Sequence, residues 1–91
     1  VKTIWKFPLP VTDAFTIEMP RGARLLSVQP QGDKVCLWAL VDDAAPKTGR
    51  RFVLTGTGHC CDGVESLSFV GTFQVMGGSL VFHVFDAGEV G

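Results

Sequence analysis

The chain has no excess of charge of either sign, no long apolar run, no paired set of cysteines and no stretch of helical periodicity. Eight basic residues stand against nine acidic ones with the signs interspersed. No electrostatic footprint for a polyanion or an anionic membrane results, which argues against nucleic-acid binding. No apolar stretch approaches the ~20 residues that a membrane-spanning helix needs. Val1-Lys2-Thr3 leads directly into an extended segment rather than into the apolar core of a secretory signal, and no membrane partner is expected. Three cysteines, an odd number, do not make a disulfide framework. A reducing cytoplasm is the plainer reading of them.

What is present is apolar surface. Of 91 residues, 46% are hydrophobic and 19% charged, with 11 glycines, and the mean hydropathy is positive. A chain of this length makes one domain, residues 1–91, around a single small core. Its composition argues against disorder, because burial can offset chain entropy. It is also rather apolar for so small a body, so self-association into a homo-oligomer is expected.

The chain is organised around Leu67–Phe85, LSFVGTFQVMGGSLVFHVF, which reads as a β-hairpin closed on Gly77-Gly78. A type I′ turn needs two central residues with φ > 0, and a Gly-Gly pair supplies them without a Cβ clash. Pairing Met76 with Ser79 then sets Val75 opposite Leu80, Phe73 opposite Phe82, Gly71 opposite Val84 and Val70 opposite Phe85. Alternation collects Phe69, Phe73, Val75, Leu80, Phe82 and Val84 on a core face. The other face carries Thr72, Gln74, Val81, His83 and Phe85.

The remaining segments follow the same period. Thr3–Phe7 alternates and is stopped by Pro8 and Pro10. Phe15, Ile17 and Met19 alternate with Thr16 and Glu18, ahead of a turn at Pro20-Arg21-Gly22, where Pro suits the first central position. Ala23–Gln29 and Lys34–Val41 form a second hairpin with a loop of two or four residues. It places Leu26, Val28, Val35, Leu37 and Ala39 on one face and Leu25, Cys36, Trp38 and Leu40 on the other. A strand apolar on both faces belongs in the middle of a sheet, with Trp38 in a core or an interface. Asp42–Arg50 reads as a polar crossing loop, Arg51–Thr55 as a strand and Gly56–Gly63 as a second loop. The sum is an all-β domain of about seven antiparallel strands, in a small sandwich or partly open barrel with little or no helix.

Several of these stretches together, Ile4-Trp5-Lys6-Phe7 before a proline turn, TIEMPRGA from Thr16, LSVQ from Leu26, CLWALVD from Cys36, GTGH from Gly56 and VGTFQVMGGSLVFHVF from Val70, resemble a group of small uncharacterised proteins encoded by bacteriophages and prophage-bearing bacteria. The resemblance covers most of the chain. It implies an accessory gene on mobile DNA, with a host or phage protein as partner, and brings no assigned activity.

Gly56-Thr57-Gly58-His59-Cys60-Cys61-Asp62 is the stretch richest in reactive groups. Its glycines would let the backbone approach a ligand, and successive N–H groups can form an anion-binding nest. Gly56, Thr57, Gly58 and His59 are therefore the candidate ligand-binding residues. A phosphate-binding loop would feed a helix through a Lys and a hydroxyl, and none follows; the competing reading is a strand end turning sharply. His59, Cys60, Cys61 and Asp62 are metal-competent, but neighbours on an extended chain diverge and no C-x-x-C exists, so neither a metal nor a cofactor is assigned. A Cys-His nucleophile would need His59 or His83 beside Cys60 or Cys61. His83 opposite Thr72 reads instead as a sheet histidine bonded to a hydroxyl, and no catalytic residue is assigned. Cys36 reads as a buried structural thiol. Lys47, Arg50 and Arg51 read as a solubilising loop and edge guard. The leading expectation is a non-enzymatic protein-interaction module with Trp38, Val81, His83 and Phe85 at its interface. The alternative is a small-molecule-binding or minor enzymatic domain, with a cavity beside the Gly56–Asp62 loop lined by Trp5 or Trp38.

Overall fold

A computed structural model describes residues 1–90. Seven antiparallel strands form: β1 (Lys2–Leu9), β2 (Ala14–Pro20), β3 (Arg24–Gln31), β4 (Lys34–Asp42), β5 (Lys47–Gly56), β6 (Ser68–Val75) and β7 (Leu80–Glu89). The helical content is two single-turn 3₁₀ segments, Val64–Ser66 and Met76–Gly78. The strands divide into a three-stranded sheet of order β1-β4-β3 and a four-stranded sheet of order β2-β5-β7-β6. The result is a flat sandwich, 39 × 31 × 16 Å, with no closed barrel.

The core is made by the inward residues of each strand. Met19, Leu37, Ala39, Val41, Phe52 and Val84 are almost wholly shielded from water. Burying a large aliphatic or aromatic side chain of this kind contributes about 1.5–3 kcal/mol. Phe15 stacks on Phe52 with ring centroids 5.4 Å apart, and Phe73 meets Phe82 at 5.6 Å. The central strand β4 is apolar on both faces, as its sequence requires.

Proline limits the strands less than expected. Pro8 pairs with Cys36 inside β1, and Pro30 pairs with Val35 inside β3. Both strands are edges of their sheet, where a missing N–H donor is tolerated. Pro20 is the last residue of β2, and its carbonyl accepts from the Ala23 N–H at 3.2 Å. The centre of that turn is therefore Arg21-Gly22, with Gly22 at φ 79°, rather than Pro20. The β3-β4 loop is the two-residue Gly32-Asp33, since Gln31 pairs with Lys34.

The β6-β7 hairpin keeps the expected register from Val75↔Leu80 to Gly71↔Val84. At the turn, Gly77 and Gly78 take φ 66° and 91°, and the Ser79 N–H donates to the Met76 carbonyl at 3.2 Å. Met76 itself adopts φ 53° and leaves the ladder. The loop is therefore two residues longer than a simple I′ hairpin.

Three register shifts redistribute side chains. Between Leu25 and Ser27, β3 carries an extra residue opposite β4. Leu26 turns outward, 44% exposed, and Leu25 packs against the core in its place. In β6 the extra residue is Val70, so Phe69 rather than Val70 faces Phe85. Val70 joins the core, and Phe69, expected inside, is 60% exposed. Leu80, at the end of its strand, is also exposed. The third shift lies at Ala87 in β7, where Arg51 faces Gly88 and Phe52 faces Asp86. A bulge bends its strand and strengthens the local twist, and here the bulged edges β3 and β6 come together. A Cβ on Gly71 would lie 2.8 Å from Val28 Cγ1.

Candidate functional site

The expected loop at Asp42–Arg50 is mostly strand. β5 begins at Lys47, and Lys47, Arg50 and Arg51 do not act together. The Lys47 ammonium sits 5.9 Å from the Trp5 ring centroid, within cation–π range. Arg51 points to solvent, and Arg50 points inward. Arg50 Nε and Nη2 donate to the two Asp86 carboxylate oxygens at 3.1 and 2.6 Å, and Nη1 donates to the Ala23 carbonyl at 2.8 Å. Asp86 also accepts from the Gly88 N–H at 2.8 Å. The side chains are 14% and 12% exposed. Burial alone would raise the Asp86 carboxyl; the Arg50 and Gly88 hydrogen bonds and the Arg50 charge outweigh it and hold the group below its ordinary range. The Asp86 hydrogen bond in turn raises Arg50 against its own desolvation. This clamp ties the four-stranded sheet to the residue before β3, so its role is structural.

At the opposite end of β5 the reactive loop turns sharply. The His59 N–H donates to the Gly56 carbonyl at 3.1 Å, and Gly58 takes φ 86°. The Thr57 N–H donates to the Val81 carbonyl at 3.1 Å. With the Thr57 and His59 amides spent inside the fold, the Gly56–His59 turn offers no unbroken run of free N–H groups. The His59 ring lies over Gly56, 3.3 Å from where a Cβ would stand, so a side chain there would displace it.

Beside this turn is a cleft of about 690 Å³. Its wall comes from the Val11–Asp13 link, the end of β5, the loop from His59 to Val64, Leu67 and Phe82. Leu54 and Phe82 give it an apolar floor, and Asp13 and Asp62 reach its rim. Neither tryptophan lines it, contrary to expectation. Trp5 faces the core near Phe7, at 6.3 Å between ring centroids, and Trp38 is half-buried on the outer face of the three-stranded sheet. The sequence marked the His59–Asp62 part of the cleft, but Val11, Leu54, Leu67 and Phe82 converge only through the fold and carry no local signal.

His83 stands on the outer face of the four-stranded sheet between two hydroxyls, Thr57 Oγ1 at 2.7 Å from Nε2 and Thr72 Oγ1 at 2.8 Å from Nδ1. Both ring nitrogens are occupied, so His83 does not serve Cys60 or Cys61. All three cysteines are free thiols, Cys36 buried and the other two exposed. Among the described residues no three His, Cys, Asp or Glu side chains gather as a metal-binding group, and no helix is long and apolar enough to cross a membrane.

Val81, His83 and Phe85 share one face, whereas Trp38 lies on the opposite side of the sandwich, so these residues do not form one patch. On the Trp38 side, Ile4, Leu26 and Leu40 surround the indole, with Lys2, Lys6, Arg24, Lys34 and Asp42 around them. On the His83 side, the register aligns Ala14, Val53, Phe85 and Phe69 in a row across all four strands. Phe69 and Phe85 meet edge to face at 5.5 Å.

Neither a curated protein nor a solved structure matches the chain. One family does match, over residues 1–90, and the chain belongs to it: the domain of unknown function DUF7352.

Proposed function

We propose that the domain is a non-enzymatic protein-interaction module that self-associates through the outer face of its four-stranded sheet. The observation that carries this reading is the apolar row Ala14-Val53-Phe85-Phe69, which crosses the whole sheet and ends on a phenylalanine 60% exposed. Water around such a row is unfavourable, and a second copy removes it. Charge favours this face over the other. By strand alternation it carries one acid, Glu18, and two bases, Arg51 and, at the sheet end, Lys47, whose ammonium is turned over Trp5. A two-fold contact therefore sets little excess of like charge together. The Trp38 face would bring Lys2, Lys6, Arg24 and Lys34 against their own copies, with Asp42 alone to offset them. Light scattering behind size exclusion tests the reading. A dimer is expected for the wild type and for Ile4→Ser, and a monomer for Phe69→Ser. A monomeric wild type, or a dimeric Phe69→Ser, overturns it.

The bacteriophage and prophage resemblance supports an accessory role on a mobile element, with a host or phage protein as a further partner. The three free thiols support a reducing cytoplasm. A second reading, a small-molecule site at the Gly56–Asp62 loop, is favoured by the cleft, whose volume falls within the range of about 300–1,000 Å³ usual for such sites.

A further inference from the structure

We infer that the cleft beside Gly56–Asp62 takes a small organic cation with an apolar body. This rests on reading the cleft as a ligand site and names the class of ligand. Leu54, Leu67 and Phe82 offer an apolar floor for a ring or alkyl body. Two carboxylates, Asp13 and Asp62, reach the rim, and no lysine or arginine lines the wall. Within the described residues neither carboxylate has an ion-pair partner or a side-chain hydrogen bond. This contrasts with Asp42, Asp86 and Glu89, whose carboxylates accept backbone N–H groups. A bound anion would meet two like charges at the rim, and the Thr57 and His59 N–H groups are already taken. An amine finds a solvated counter-charge above an apolar surface, the arrangement in which a polar end fixes orientation and the body supplies affinity.

The test uses a matched pair of probes, tryptamine and indole-3-propionate, which share an indole and a two-carbon arm and differ in the sign of the terminal charge. Binding is followed by amide shifts of Leu54, Leu67 and Phe82, and by protection of Cys60 and Cys61 from iodoacetamide, with buried Cys36 as an internal control. Tryptamine is expected to shift these amides and slow alkylation, and indole-3-propionate to do neither. In Asp13→Asn/Asp62→Asn, tryptamine affinity should fall roughly three- to tenfold, as for exposed charge pairs, with an unchanged melting temperature. Equal binding of the two probes overturns the cation assignment and leaves the cleft a ligand site. No binding of either overturns both.

Discussion

Removing Asp86 should destabilise the domain more than removing any other surface-accessible carboxylate. The carboxylate receives two hydrogen bonds from Arg50 and one from Gly88, and the pair is only 12–14% exposed. In Asp86→Ala the guanidinium keeps its bond to the Ala23 carbonyl and the charge of Glu89 nearby, but it loses the carboxylate it is paired with in a largely buried position. Breaking one side of a buried pair costs about 3–5 kcal/mol, and the residual exposure places this one near 3 kcal/mol. For a domain of this size that is a melting temperature lower by about 12–24 °C. Arg50→Met/Asp86→Leu, which removes both charges and keeps the volume, should recover most of the loss. Acid supplies a second readout. Because the folded carboxyl lies below its ordinary value of 3.8, the pair's contribution is complete above that pH and is lost as pH falls through the lower folded value. The stability gap between wild type and Asp86→Ala should therefore be constant near neutrality and close on acidification below about pH 4. Urea melts at several pH values measure it. A neutral-pH gap under about 1 kcal/mol, a double variant no better than the single one, or a gap indifferent to acid would refute the reasoning.

The seam between the sheets makes another prediction. Gly71→Ala places a methyl 2.8 Å from Val28 Cγ1, and Val28 is buried and cannot yield, so a loss of about 1–3 kcal/mol is expected in denaturant melts. Gly71→Ala/Val28→Ala should lose less than the sum of the single variants, since the second truncation clears the space the first fills. At the hairpin tip, Met76 holds φ 53°, a conformation that costs an ordinary L-residue about 1–2 kcal/mol and asparagine less. Met76→Asn should therefore raise the melting temperature by a few degrees; an unchanged or lower value would show that the left-handed conformation is not strained.

How far the sequence carried the fold depends on where alternation holds. Val35, Leu37, Ala39 and Val41 are inside because the period of two in β4 is unbroken, and Phe73↔Phe82 follows from counting back from two glycines. The same count failed one residue beyond Gly71. It placed Phe69 in the core because strict alternation has no way to register an inserted residue. Leu26 and Leu25 exchanged faces for the same reason. Of the cleft, the reactive loop was legible and its far wall was not.

Sequence alone determined that these segments are extended, that β4 is a central strand and that Gly77-Gly78 closes a hairpin. Each is a local matter of side-chain period or backbone freedom. Tertiary structure decided where the bulges fall, which phenylalanine meets water, and that Arg50 turns inward to Asp86. Those outcomes depend on how closely two sheet edges approach, a contact between residues such as Val28 and Gly71 that stand 43 positions apart and carry no shared local pattern.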